Sequence, residues 1–397
     1  MFRIMHILLY LFSLFPFVKF FFVDFGSDQQ PYALIISILI VLLYILRGGK
    51  WPRAMVVIVL VCMVATFWGA IDGINTVYAR SMANYLSLFF ITFAVYVDLL
   101  TYKRIDERFI KLVILTWTSV GVIQRFVNRG FLTALLSASR TSLDRGVVSL
   151  AVEPTTYGLF CLLMIVICWE YFESGRVLYT LLCVFQLIFL AQSSMALLLL
   201  GILLFYVGIV YFLFSYRLSV KLKVLAVVVV GFFAAYFFVD EFLAGTRIQR
   251  LMTMLIKNPL SIVMLDASVN DRVSHVYFSI RGALDNYLIP NGFNAWRQYV
   301  TTKSASQTTF FWVSKGDRIM SGYGAVLFEL GVFGLILLVT TTRIIMRCKM
   351  EFRRRIIYTL FIQAVMFTAI PIGFPLYPFL IGTFLYYGRR DSAPQLE

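Results

Sequence analysis

Apolar residues in this chain arrive in unbroken blocks of about 15–20, and that length constrains the fold more than any other feature. A helix rises 1.5 Å per residue, so such a block crosses a hydrocarbon slab about 30 Å thick. The blocks lack the alternation of polar and apolar residues that a membrane β-barrel needs. Composition agrees. Hydrophobic residues make up 61% of the chain and charged ones 14%, against roughly 45–50% and 25% in soluble domains. A mean hydropathy of +0.87 leaves too little polar surface to cover one soluble core. The expected fold class is therefore all-α: a polytopic integral membrane protein with about twelve transmembrane helices. The expected spans are 4–23, 32–46, 54–70, 84–100, 110–127, 154–170, 177–191, 196–214, 224–239, 321–341, 356–370 and 375–388.

Lysine and arginine set the expected orientation. Alternate loops carry Arg47, Lys50 and Arg53; Lys103, Arg104, Arg108 and Lys111; and Arg217, Lys221 and Lys223. Arg343 to Arg355 and the pair Arg389 and Arg390 continue the series, while intervening short loops, such as that with Asp24 and Asp28, are neutral or acidic. Both termini are thus expected in the cytoplasm, with the first block a retained helix because it has no A-x-A cleavage pattern. Most of the net charge of +15 is this orientation signal. The organisation that follows is 1–239 with nine spans, a large outer loop over 240–320, and 321–397 with three more spans and a tail. Four cysteines lie in apolar runs and Cys348 in a basic loop, so neither a disulfide framework nor a zinc-type spacing is available.

Two outward segments break the charge rule. The large loop carries nine Lys/Arg and six Asp/Glu, and long loops translocate regardless of charge. The short Arg-rich segment at 125–153 has no such excuse: it holds Arg125, Arg129, Arg140 and Arg145 with Asp144 and Glu153. Arginine offers a planar fork to phosphate oxygens, so an anion site is the expectation. Pro154 suits the first turn of a helix, which places Glu153 near its N-cap at the outer mouth of the bundle. The structural alternative is that Glu153 only caps, with Arg140 or Arg145 paired to it or to Asp144. FLTALLSAS before it is too short to span and reads as interfacial or re-entrant.

The large loop reads as folded. RIQRLMTMLIKN, from Arg247, has the apolar stripe of a helix lying on a membrane surface. Ser268-x-x-Asp271 is a capping-box pattern opening a helix that ends near Pro290-Asn291-Gly292. On it Arg272, His275 and Ser279 share one stripe, whereas Arg281, nine positions past Arg272, points to the opposite side of a continuous helix. The chain has no GxxxxGK[ST], no HExxH and no outward metal pair. Away from their ends the expected spans hold few charges, Lys19 and Glu329, and no internal repeat relates the halves, which speaks against a coupled transporter.

Four stretches in order carry a family resemblance: VEPTTYG (from Val152, with Glu153 to Gly158), LAQSSMALLLL (from Leu190), DASVNDR leading to PNGFNAW (Asp266 to Trp296), and SGYGAVLFELGVFGLI (from Ser321). With them the chain resembles the O-antigen polymerase (Wzy-type) family, related to the O-antigen ligases, over roughly residues 125–340. Arg281 and Gly292 also stand at the Arg-x10-Gly spacing of outer loops in such polymerases. The resemblance implies a GT-C-like glycosyltransferase of the bacterial inner membrane with its site at the periplasmic face. Donor and acceptor would be oligosaccharides on undecaprenyl diphosphate, and a chain-length regulator and a flippase would be partners. It implies no cofactor, no metal and no nucleic acid. Arg140, Arg145, Arg272, Arg281 and Arg318 would bind the diphosphate, and Glu153, Asp266 or His275 would be the catalytic base. The ligases carry a His just before the helix that here opens at Met320-Ser321-Gly322, a departure that favours polymerase over ligase. A flippase for the same lipid-linked sugars is the alternative from another class.

Overall fold

The computed structural model describes residues 2–20, 27–71, 73–141, 145–215, 266–306, 318–368 and 370–389, with isolated positions between 216 and 265. Among them the chain order begins α1 (Phe2–Leu14), α2 (Tyr32–Leu46), α3 (Arg53–Ile71), α4 (Thr76–Tyr102) and α5 (Glu107–Phe126). It continues with α6 (Pro154–Tyr171), α7 (Arg176–Phe185, prolonged by a π turn over Gln186–Ala191), α8 (Ser194–Phe214), α9 (Ala267–Asp285) and α10 (Ala295–Ser306). Last come α11 (Gly322–Leu330), α12 (Val332–Arg347), α13 (Phe352–Thr368) and α14 (Leu376–Arg389). No strand occurs among the described residues, only an isolated antiparallel bridge between Val18 and Leu136.

Five helices, α3, α4, α5, α6 and α8, are long and apolar enough to cross a membrane. The molecule is thus all-helical in its described part and compatible with embedding in a bilayer. The expected span at 224–239 and the surface helix from Arg247 lie outside the described residues, apart from single positions. The long helices divide by position. α4 and α6 are central, with 67% and 72% of their apolar windows buried, whereas α8 buries only 17%. The outer helices present Leu60 and Phe67 on α3 and Leu204 and Phe205 on α8 to the surroundings. In water each would cost about 25 cal/mol per Å² of apolar area, a penalty that lipid removes.

Two expected spans end differently. The first stops at Leu14 rather than 23, because Pro16 has no N–H for the helix ladder and disfavours helical geometry at Phe15. Beyond it, Lys19 donates its backbone N–H to the Leu135 carbonyl at 2.8 Å, so Lys19 lies past the helix and not within a span. Its partner stretch, FLTALLSAS, forms a single 3-10 turn over Thr133–Leu135 rather than a re-entrant helix. The span expected over 321–341 is broken at Gly331, whose φ of 54° and ψ of −123° belong to glycine. The peptide groups freed by the break are taken up by the α9–α10 loop. Asn291 and Gly292 donate to the carbonyls of Phe328 and Glu329 at 3.2 Å each, and Val332 donates to Leu288 O at 2.8 Å. A Cβ on Gly331 would stand 2.0 Å from that same Leu288 oxygen.

Contacts sort the connections into two ends of the bundle. At the basic end Tyr386 donates to Lys103 O, Lys111 reaches Ser174, Arg353 reaches Phe214 O and Arg354 pairs with Glu170. A cleft of about 370 Å³ opens there between Tyr102–Arg104, Glu170–Glu173, Arg176 and Tyr387. At the opposite, cap end lie residues 15–20, 27–30, 127–141, 145–153, 286–294, 318–321 and 370–375. There Asn75 bonds Asn294 at 3.0 Å, and Phe293 stacks on Tyr85 with ring centroids 5.8 Å apart. Charge within the described spans is larger than Lys19 and Glu329 suggest. Asp98, inside α4, is buried and bonded through both oxygens to Nδ1 of His6, at 2.8 and 2.9 Å.

Candidate functional site

The described residues of the Arg-rich segment, 127–141 and 145–153, fold as a cap. Gln124, buried on the last turn of α5, holds it by donating to the carbonyls of Phe131 and Ser149 and accepting from Ser149 N–H at 2.7 Å. Arg129 works on the same frame, donating to Thr141 Oγ1 and to the carbonyls of Arg145 and Gly146. Val147 N–H donates to Leu190 O at 2.8 Å, and a Cβ on Gly146 would stand 2.0 Å from the Ala191 oxygen. Residues 146–152 are buried, and this contact fixes the cap to the π turn that ends α7.

From this frame three expected residues reach partners in other segments. Arg140 is placed by its backbone N–H, which donates to Val152 O at 2.8 Å, one residue ahead of Glu153. Its guanidinium pairs with Asp28, in the connection between α1 and α2. Arg318 approaches the same carboxylate from the other side, 3.6 Å from Oδ2. Glu153 stands at the N-cap of α6, but its carboxylate bonds no backbone N–H there. It accepts from Thr156 Oγ1 at 3.3 Å and lies 3.9 Å from Arg272, with its side chain one-third exposed. Arg140 and Arg272, which the sequence separates by more than a hundred residues, thus meet carboxylates at one end of the bundle. Arg145 is exposed beside them, its guanidinium without a partner among the described residues.

The remaining expected residues sit elsewhere. Asp266 caps α9, accepting from Val269 N–H at 3.0 Å, so the helix opens before the Ser268-x-x-Asp271 pattern. His275 is fully buried, its ring stacked on Trp296 with centroids 5.4 Å apart. Its Nδ1 accepts from Met320 N–H at 3.4 Å, and Nε2 lies 3.6 Å from Asp271 Oδ1, beyond hydrogen-bond reach. Phe278, Val300, Ile319 and Phe328 complete the small core around Trp296. Arg281, about 14 Å further along the helix axis than Arg272 by helical rise, donates to Tyr277 OH at 2.5 Å and pairs with Asp285 at 3.9 Å. Burial works against charge on the Asp285 carboxyl. The Tyr299 hydroxyl and the Lys303 and Arg281 cations outweigh it and hold the group below its ordinary value. Burial and the bond to Asp285 push Tyr299 up.

Asp28 is the residue that sequence reasoning passed over. The sequence shows only an acid in a short outer connection, which is ordinary topology, and its partners lie 112 and 290 positions away. Among the described residues no group of three or more His, Cys, Asp or Glu side chains converges as metal ligands. The arrangement at the cap end is a set of arginines held by carboxylates that remain partly open to solvent. Such a set can exchange a carboxylate for another oxyanion and keep its hydrogen bonds. The chain matches no protein-family model and no curated protein.

Proposed function

We propose that this chain is a metal-independent glycosyltransferase that polymerises oligosaccharide repeat units carried on undecaprenyl diphosphate. It would work at the periplasmic face of a bacterial inner membrane, as an O-antigen-type polymerase. In this reading the bundle has about twelve spans and a GT-C-like plan, the cap end is outward, and both termini are cytoplasmic. One observation carries it: Arg140, Arg272 and Arg318, from two outer segments remote in sequence, are drawn to neighbouring carboxylates at one end of an apolar bundle. A water-facing anion site above lipid-facing helices suits a substrate with a diphosphate head and a hydrocarbon tail.

The chemistry follows from the groups present. The bond between the anomeric carbon and the diphosphate oxygen breaks, the acceptor hydroxyl oxygen bonds that carbon, and the lipid diphosphate leaves with both bonding electrons. Arginines aimed at the diphosphate stabilise the charge that develops on it. The acceptor hydroxyl must lose its proton, and Glu153 suits this role better than Asp266 or His275. Its carboxylate is one-third exposed and caps no helix, whereas Asp266 is engaged at the start of α9 and His275 is sealed in a core. Arg272 and Glu153 sit together, so the group holding the leaving diphosphate is beside the group receiving the proton. Arg281 stands apart with Asp285 and is assigned at most an outer contact to the same substrate. The test is incubation of purified protein with lipid-diphosphate repeat units and no nucleotide. A ladder of longer lipid-linked products is expected; transport across a vesicle membrane without elongation would move the assignment to a flippase.

A further inference from the structure

The pairing of Arg140 and Arg318 on one carboxylate points beyond a list of phosphate-binding residues. Asp28 belongs to neither arginine-bearing segment. Its connection is anchored independently: Gln30 donates its backbone N–H to Pro16 O at 2.8 Å and its side-chain amide to Ser27 O at 3.0 Å. Ser137 Oγ donates to the Asp28 carbonyl at 3.4 Å, tying this connection to the cap. The carboxylate is therefore delivered to the arginines by backbone held on both sides. Two guanidinium groups on one carboxylate leave the trio with a net charge of +1, from two cations and one anion. All three side chains stay reachable, at 21% exposure for Asp28, 41% for Arg140 and 46% for Arg318.

We infer that Asp28 is a built-in stand-in for the substrate's anion. It occupies the site between Arg140 and Arg318 in the empty protein and is displaced when a diphosphate arrives. The inference rests on the reading of this end as a diphosphate site. A single carboxylate gives each arginine one negative charge to share, while a diphosphate brings two to three charges and more acceptor oxygens. Attraction at fixed distance scales with that charge, so the diphosphate wins the exchange. Without an anion between them the two cations would repel, and the fork geometry that receives a phosphate would be lost. The carboxylate thus keeps the arginines converged at the cost of competing with the ligand, a weak competition because exposed pairs are individually marginal.

The competition gives an unusual signature: removing a carboxylate from the site strengthens anion binding, with the arginines unchanged. In full-length protein held in neutral-lipid nanodiscs, inorganic diphosphate is expected to bind Asp28→Asn about three- to tenfold more tightly than wild type, tenfold being one decade of Kd. Arg140→Gln and Arg318→Gln are each expected to weaken it by about tenfold. A second arm repeats the titration with undecaprenyl diphosphate in the disc. Tightening in both arms assigns the site to the lipid's headgroup; tightening with inorganic diphosphate alone assigns it to the free anion. Thermal unfolding of Asp28→Asn controls for a fold defect, and the isosteric Asn keeps the backbone anchors. Unchanged or weaker diphosphate binding by a folded Asp28→Asn overturns the inference. If Asp28→Asn tightens diphosphate yet no variant ever elongates lipid-linked units, the stand-in survives and the polymerase reading falls.

Discussion

At the basic end of the bundle carboxylates are sunk between helices; at the cap end they rest on arginines still open to water. His6 and Asp98, with side chains 8% and 5% exposed, join α1 to α4, and Tyr10 and Tyr102 cover the imidazole with ring centroids 4.6 and 4.4 Å away. Glu170 accepts from Tyr358 at 2.6 Å and pairs with Arg354, joining α6 to α13. Those acids fasten helices together, with Asp98 enclosed in the packing and the Glu170 carboxylate nearly buried beside the cleft. Asp28 and Glu153 fasten segments too, but Asp28's partners Arg140 and Arg318 lie nearly half exposed, and Glu153 is itself one-third exposed beside the more buried Arg272. The same residue types therefore do structural work where they are buried and exchangeable work where they are not.

The comparison breaks if the two ends respond alike to substitution. The largest effect is expected at the cap end in activity alone. Glu153→Gln should lower polymer formation by about 10²–10⁴-fold, the range for losing a general base, with unfolding free energy within about 0.5 kcal/mol of wild type. Elongation assays beside denaturant titration in detergent check both halves, and near-normal elongation by the variant would remove Glu153 from the chemistry. At the basic end the expectation reverses. Asp98→Ala should cost about 3 kcal/mol of stability, as breaking a buried pair does, and whatever protein remains folded should elongate normally. Equal loss of activity and stability there would erase the distinction between the ends.

Smaller effects sharpen it. Arg140→Gln should change stability by no more than about 1 kcal/mol, since its pair with Asp28 is solvent-exposed, while elongation falls; a large stability loss would make Arg140 a structural residue. The smallest effect concerns Asp285. Its pKa is depressed in the folded protein, so the unfolded chain takes up its proton first as pH falls. The contribution of its contacts with Tyr299, Lys303 and Arg281 is then complete above the ordinary carboxylate value near 4 and lost progressively below it. Hydrogen exchange of α10 amides should rise below pH 4 in wild type and be insensitive to that step in Asp285→Asn.

Much of the helical plan was legible because apolar blocks and helix punctuation are local signals. The segment expected at 32–46 is α2 to the residue, and that at 177–191 is α7 with its π turn. Helix ends at Leu14 and at Gly331 were missed for opposite reasons. Pro16 is a local stop that the surrounding hydrophobicity masks. The break at Gly331 is stabilised from outside, by hydrogen bonds from residues 288–292 that no window around position 331 contains. Site residues divide in the same way. The arginines stood out as departures from the charge rule, and Glu153 by its place before Pro154. Asp28 and Asp98 did not, since each owes its role to a partner about a hundred positions away. His275 looked reactive as the one histidine of the outer loop, but Trp296, which buries it, lies in the next helix.

Three backbone hydrogen bonds, and a fourth from the Asn291 side chain, tie residues 288–292 to the interrupted strut of α11 and α12. The peptide between the two helices is therefore a seam shared by the apolar bundle and the α9–α10 part, with glycine as the stitch that fits. α9 leads directly into that seam and carries Arg272 at its other end. A force applied at Arg272 is borne along α9 to the junction of α11 and α12. There it must either break those backbone bonds or move α11 and α12 with it, so α9 and the two helices it abuts respond to load as a single body.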